Sequence, residues 1–164
     1  MSRSPDVRLA DVDEPMLERL LAIAMDDASP DDVTPPLGDG PGWNVERIDW
    51  FRAYHRSAAA GLDGPAREKS WAILRDGSPA GSIRLKRAAE GTAETGIWLG
   101  RSYRGRGIGS AALDLVLAEA RRAGLHQVAA RTTAGNIGAQ RLLAAAGARL
   151  THDDGGAVSA AVVL

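Results

Sequence analysis

The segment Tyr103-Arg104-Gly105-Arg106-Gly107-Ile108-Gly109-Ser110 carries the chain's strongest chemical signal. Glycines at alternate positions let the backbone turn tightly and approach a ligand without side-chain obstruction. An apolar-periodic stretch follows at once, so the segment opens a helix. The first N–H groups of that helix lack intrahelical acceptors, and its dipole puts about half a positive charge at this end. Arg101, Arg104 and Arg106 add formal charge beside those donors. Such a site wants an anion, a phosphate or pyrophosphate. Two familiar phosphate patterns are missing. A triphosphate loop needs Lys and then Ser or Thr after its last glycine, whereas Ser110-Ala111 follow Gly109. A dinucleotide fingerprint begun at Gly105 or Gly107 would need glycine where Ser110 or Ala112 stands, and no acidic residue ends the next strand.

Other reactive side chains are sparse. His55, His126 and His152 have no metal-ligand spacing and read as structural or solvent-facing, so no metal is expected. There is no Cys, which excludes a thiolate nucleophile, a disulfide scaffold and Cys-ligated zinc. Ser110 sits in a phosphate loop rather than a nucleophile elbow. The net charge of −1 hides an asymmetry, because residues 1–50 carry 4 Arg against 12 Asp and Glu while residues 101–149 carry 8 Arg against 2. Without a basic excess over the whole domain, nucleic-acid binding is disfavoured. No apolar run approaches the roughly 18 residues of a membrane span, and the N-terminus lacks a signal peptide's apolar stretch, so a cytoplasmic protein is expected.

The 164 residues suit one domain, and 45% hydrophobic residues suffice for a packed core. With only 4% aromatics, that core must be mostly Leu, Val, Ile and Ala. Residues 7–12 read as a strand. Asp13 is placed to cap a helix carrying Met16, Leu17, Leu20, Leu21 and Ala24 at helical spacing. Residues 28–43 hold prolines and glycines that no helix or central strand would accept, and predict a long binding loop or lid. Residues 45–62 resume helical periodicity through Ile48, Phe51 and Tyr54. Strands at 70–75 and 80–87 flank the hairpin signal Asp76-Gly77, and a third strand covers 93–99. A helix over 108–123 ends at Gly124, a strand spans 125–131, and Asn136 caps a helix to Ala146 with Gly147 as its stop. Segments 149–152 and 157–164 form a last hairpin. The order is β-α-α-β-β-β-α-β-α-β-β, an α/β fold with a mixed sheet.

Arg104-x-x-Gly107-x-Gly109 resembles the pyrophosphate loop of the GNAT superfamily of acetyl-CoA-dependent N-acetyltransferases. The stretches Glu94–Gly100 with Tyr103-Arg104-Gly105, and Thr133–Leu143 with Gly147 behind, are most similar to the ribosomal-protein-alanine N-acetyltransferase branch. This specific likeness covers about residues 81–150. It implies a GNAT fold over 1–164, with two parallel strands, 93–99 and 125–131, splayed at the centre of the sheet. It implies acetyl-CoA as donor, with backbone N–H groups of Arg104, Gly105, Arg106, Gly107, Ile108, Gly109 and Ser110 on the pyrophosphate. Trp98, Leu99 and Gly100 would pair with the pantetheine amides, and Asn136 would contact that arm. Glu94 would accept the amine proton, through water, with Glu90 in the turn as second choice. A strand N–H near Leu99 would meet the oxyanion. Many relatives carry a Tyr that protonates the departing thiolate, and here that position is Leu143; Tyr103, Ser110 or water are the substitutes open.

By the same resemblance, residues 28–44 lie on the acceptor side. Asp26, Asp27, Asp31, Asp32 and Asp39, with Trp43, Trp50, Phe51 and Tyr54 nearby, favour a cationic amine. At least two of Trp50, Phe51 and Tyr54 should be core, which makes Trp43 the expected acceptor contact. The partner is a small-molecule amine or a peptide N-terminus, with a homodimer left open. A non-catalytic acyl-CoA-binding module is the alternative reading.

Overall fold

Alternation along the strands gives the sheet two apolar faces, and each face takes its own helices. The computed structural model describes residues 6–164. Seven strands are involved: β1 (Val7–Asp11), β2 (Glu68–Arg75), β3 (Ser78–Arg87), β4 (Thr92–Leu99), β5 (Gln127–Thr133), β6 (Arg149–His152) and β7 (Ala157–Val163). They lie in the order β1-β2-β3-β4-β5-β7-β6. Strands β4 and β5 run parallel, and the other neighbours pair antiparallel. The helices are α1 (Glu14–Asp27), α2 (Pro30–Val33), α3 (Val45–Ala58), α4 (Ile108–Arg122) and α5 (Ile137–Ala145).

On one face, Trp71, Ile73, Ile83, Leu85 and Ala93 pack against Ile108, Ala112, Leu113, Val116 and Ala120 of α4, with Leu143 of α5 beside them. On the other, Ala72 meets Leu17, Leu20, Leu21 and Ala24 of α1 and Phe51 of α3. The i, i+3, i+4 stripe read in the sequence is thus the stripe that is buried. Two exposed arginine forks tie α1 to α3 in antiparallel alignment. Arg56 reaches both oxygens of Glu14 at 2.8 and 3.1 Å, and Arg52 both oxygens of Glu18 at 2.9 and 3.1 Å.

Local chemistry sets the element ends. Asp13 accepts the Met16 N–H at 2.9 Å and Asn44 accepts the Arg47 N–H at 2.8 Å, capping α1 and α3. Asp76 and Gly77 turn the β2–β3 hairpin at φ of 50° and 84°, the two positive values a two-residue primed turn demands. Two expectations need correction. The loop over 28–43 contains the one-turn helix α2, because Pro30 stands in its first turn, where no backbone donor is needed. Helix α3 stops at Ala58 instead of running to 62, and turns around Gly61 take over. A 3-10 turn over Arg101–Tyr103 also precedes the glycine-rich loop.

Gly81 pairs with Leu99 across β3 and β4, and a Cβ there would stand 2.0 Å from the Trp98 carbonyl oxygen. Gly81→Ala is therefore expected to destabilise the fold by about 2–4 kcal/mol, the range of severe core lesions, measurable as a lowered urea midpoint.

Candidate active site

The two central strands separate part-way along. Strand β4 pairs with β5 from Thr92–Gln127 to Glu94–Ala129 and no further, while β4 continues beside β3 to Leu99 and β5 beside β7 to Thr133. A cleft of about 700 Å³ occupies the opening, lined by Thr95, Ile97 and Leu99 on one bank and Ala130, Arg131 and Thr132 on the other. Gly100 donates its N–H to the Ala80 carbonyl on β3 at 2.9 Å. Backbone donors alternate sides along a strand, so the N–H groups of Leu99 and Ile97 point the other way, into the opening.

The glycine-rich loop and the start of α4 close one end of this cleft. Gly105 and Gly107 adopt φ of 72° and 80°, a region glycine enters freely. Gly107 caps α4 with no side-chain hydrogen bond, and the first turn's bond runs from Ala111 N–H to Gly107 C=O. The N–H groups of Ile108, Gly109 and Ser110 therefore lack helical acceptors and present an anion-binding terminus. Gly109 serves packing instead of turning, because a Cβ there would lie 2.7 Å from Leu142 of α5.

The sequence pattern of the acetyltransferase (GNAT) domain family matches residues 21–149, well over half of the chain. The chain belongs to the GNAT acetyltransferase family. It is thereby an acetyl-CoA-dependent N-acetyltransferase in class. Solved structures share the fold. The GNAT domain of S. lividans PAT is 21% identical at a TM-score of 0.72, covering 98% of this chain and 90% of that one. Mycobacterium smegmatis RimJ, solved with CoA-disulfide, is 22% identical at 0.76, covering 96% and 81%. RimL, a ribosomal L7/L12 alpha-N-protein acetyltransferase solved with coenzyme A, is 18% identical at 0.73, covering 96% and 94%. No curated protein sequence matches the chain.

Within this GNAT domain, Trp98, Leu99, Arg104, Gly105, Gly107, Gly109, Ser110 and Asn136 line the large cleft. Gly100, Arg106 and Ile108 do not. The N–H of Gly100 is spent on Ala80 and its C=O on the Tyr103 N–H, and the Ile108 side chain is fully buried beneath the helix. Asn136 caps α5, accepting the Ala139 N–H at 3.0 Å. Leu143 is buried and still reaches the cleft wall, an apolar surface with no proton to give. Ser110 lines the cleft and Tyr103 does not. Arg131 and Arg141 line it too, although neither belongs to the glycine-arginine motif; exposed arginines on a strand and a helix carried no signal of a shared wall.

A second cleft of about 290 Å³ opens on the α3 side of β4, lined by Trp50, Phe51, Tyr54, His55, Arg84 and Trp98 among others. Asp32, Ile83, Gly96, Ile97 and Trp98 line both clefts, so the two meet at the splayed part of β4. At least two of Trp50, Phe51 and Tyr54 are expected in the core, but Phe51 alone is fully buried, and Trp50 and Tyr54 stack with centroids 5.1 Å apart. Trp43, the expected acceptor contact, is not in this lining; its indole N–H donates to the Ala28 carbonyl at 3.3 Å and staples the loop. Glu94 is exposed and outside the lining of both clefts, opposite Lys86 on the face of β4 that carries Gly96 and Trp98. Glu90 is exposed in the preceding turn.

His55, read from sequence as a structural or solvent-facing residue, is buried in this second cleft, its Nδ1 2.8 Å from the Ser70 hydroxyl. Its spacing of four from Phe51 was the available clue. Burial pushes the imidazole down to about 4 and keeps it neutral at pH 7. Burial and the 2.7 Å hydrogen bond to Glu68 push the Tyr54 phenol up. Because the unfolded chain binds a proton near pH 6.5 that folded His55 refuses until about 4, stability is lost as pH falls through that window. Thermal or urea unfolding should show a loss of about 2 kcal/mol between pH 6.5 and 5, and His55→Asn should flatten this slope.

Proposed function

We propose that the protein transfers an acetyl group from acetyl-CoA to a primary amine by direct attack within a ternary complex. The donor occupies the large cleft and the acceptor the smaller one, and the two meet where β4 leaves β5. That parting carries the reading, because it gives two binding spaces on opposite faces of one sheet a shared middle. The unbonded N–H groups at the start of α4, with the glycine conformations before it, fit a diphosphate. The unpaired edge of β4 fits a pantetheine arm laid down as an extra strand. The motifs over 94–143 are similar to those of the ribosomal-protein N-acetyltransferase branch, which favours a peptide N-terminus or a small amine as acceptor.

Acetyl-CoA supplies a thioester carbonyl; the chain supplies orientation and proton handling. The Leu99 N–H faces the opening and is placed to donate to the developing oxyanion, a role worth about 3 kcal/mol in comparable sites. The acceptor must lose a proton before it attacks, since a lysine-like amine is mostly protonated at pH 7. Glu94 lies two strand residues from Gly96, about 7 Å along β4, so it accepts that proton through water. Leu143 leaves the departing sulfur without a side-chain acid at that wall, and Ser110 or water serves instead. A thiol pKa of about 8.5 makes that departure only mildly uphill.

The reading is tested by free-thiol release on incubating acetyl-CoA with peptides beginning in Ala or Ser, polyamines, aminoglycosides and amino-acid amides. Binding of CoA without thiol release would instead identify a non-catalytic acyl-CoA module. Glu94→Gln is expected to lower turnover by about 10²-fold while calorimetric CoA affinity holds; unchanged turnover removes the base assignment. Gly107→Val strains the loop by about 1–2 kcal/mol and fills it, and is expected to abolish CoA binding in a protein that still melts cooperatively.

A further inference from the structure

Asp32 stands where the two clefts join. Of the five residues lining both, Asp32 is the charged one, and among the described residues lining either cleft it is the one carboxylate. It lies in the one-turn helix α2 between α1 and α3, yet it meets Arg104 of the glycine-arginine loop, 72 positions away, with Arg104 Nη2 at 3.3 Å from its Oδ2. The same guanidinium donates through Nε to the Leu99 carbonyl at 3.2 Å. Arg104 thus links the acceptor-side loop, the edge of β4 and the proposed diphosphate site. The other charge in the smaller cleft is Arg84, which Glu68 partly offsets at 3.5 Å. The neighbouring carboxylate Asp31 is already bound to buried Arg47 at 2.9 Å.

We propose that Asp32 is the anchor that recruits the acceptor as a cation, and that it is held by Arg104 until the donor's diphosphate draws that arginine away. The inference rests on the acetyl-transfer reading above and adds the group that selects the acceptor and the order in which the sites become competent. The Asp32–Arg104 pair is half exposed on both sides, so its hold is weak and a diphosphate beside helix N–H donors competes with it easily. Once Arg104 turns toward the phosphates, Asp32 is left as an unneutralised carboxylate in the cleft that Trp98 also lines, and that ring adds a face suited to a cation. Donor binding therefore raises acceptor affinity, and by linkage the acceptor raises donor affinity by the same factor.

The experiment compares the parent enzyme, Asp32→Asn and the control Asp114→Asn, which removes the same charge from an exposed position on α4 and lines neither cleft. Calorimetry with CoA and thiol-release kinetics with the best amine of the panel are read together. Asp32→Asn is expected to bind CoA about two- to five-fold more tightly, because Arg104 is released. It is also expected to raise the acceptor KM by about tenfold or more with kcat within about threefold, the signature of lost uniform binding. Asp114→Asn should match the parent in both. An acceptor KM in Asp32→Asn equal to that of an active parent overturns the anchor, and unchanged CoA affinity overturns the hold by Arg104. A parent enzyme that releases no thiol with any amine overturns the acetyl-transfer reading, and this inference with it.

Discussion

Everything in the site follows from two strands that agree for three residue pairs and then part. Strand β4 is held by β3 along its length and β5 by β7, so each outer ladder stays complete while the inner one stops at Glu94 and Ala129. A sheet interior with unbonded N–H and C=O groups is costly unless water or a guest meets them. The opening turns that cost into a binding edge whose donors are spaced as a strand's donors are. Breaking the sheet in the middle, with helices on both faces, also leaves two clefts that share residues of β4.

The start of α4 is the second fixed point. Its position is set by apolar packing far from any ligand, since Ile108, Ala112, Val116 and Ala120 are buried against the sheet. The packing that stabilises the domain therefore aims the helix's free N–H groups into the cleft. Of the three glycines before and within that helix, two shape the turn and the third lets α5 come close enough to form the far wall. Leu142 and Leu143 belong to that wall and to the core or its margin, so stability and site geometry share residues.

Much of this was legible before the structure. Caps at Asp13 and Asn136, the Asp76-Gly77 turn and the stripe on α4 are local signals, read correctly because neighbouring residues decide them. The loop that opens α4 was equally local. What escaped depended on distance. Trp43 looked free in a glycine-proline loop, but its partner is a carbonyl fifteen positions earlier. Gly100 looked like a continuation of the binding edge, but the alternation of the β3 ladder takes its N–H. Glu94, expected at the reacting centre, lies outside both linings, at the last pair before β5 departs, a placement no residue type nearby reveals. Helix α2 hid inside a proline-rich stretch because one turn leaves no periodicity to read.

The paired forks Arg52–Glu18 and Arg56–Glu14 bind α1 and α3 side by side, each arginine gripping two oxygens. Phe51 locks the same two helices from the core. The pair thus forms one plank, and the segment strung between its ends is lashed back onto it by the Trp43 indole on the Ala28 carbonyl and by Asp31 on Arg47.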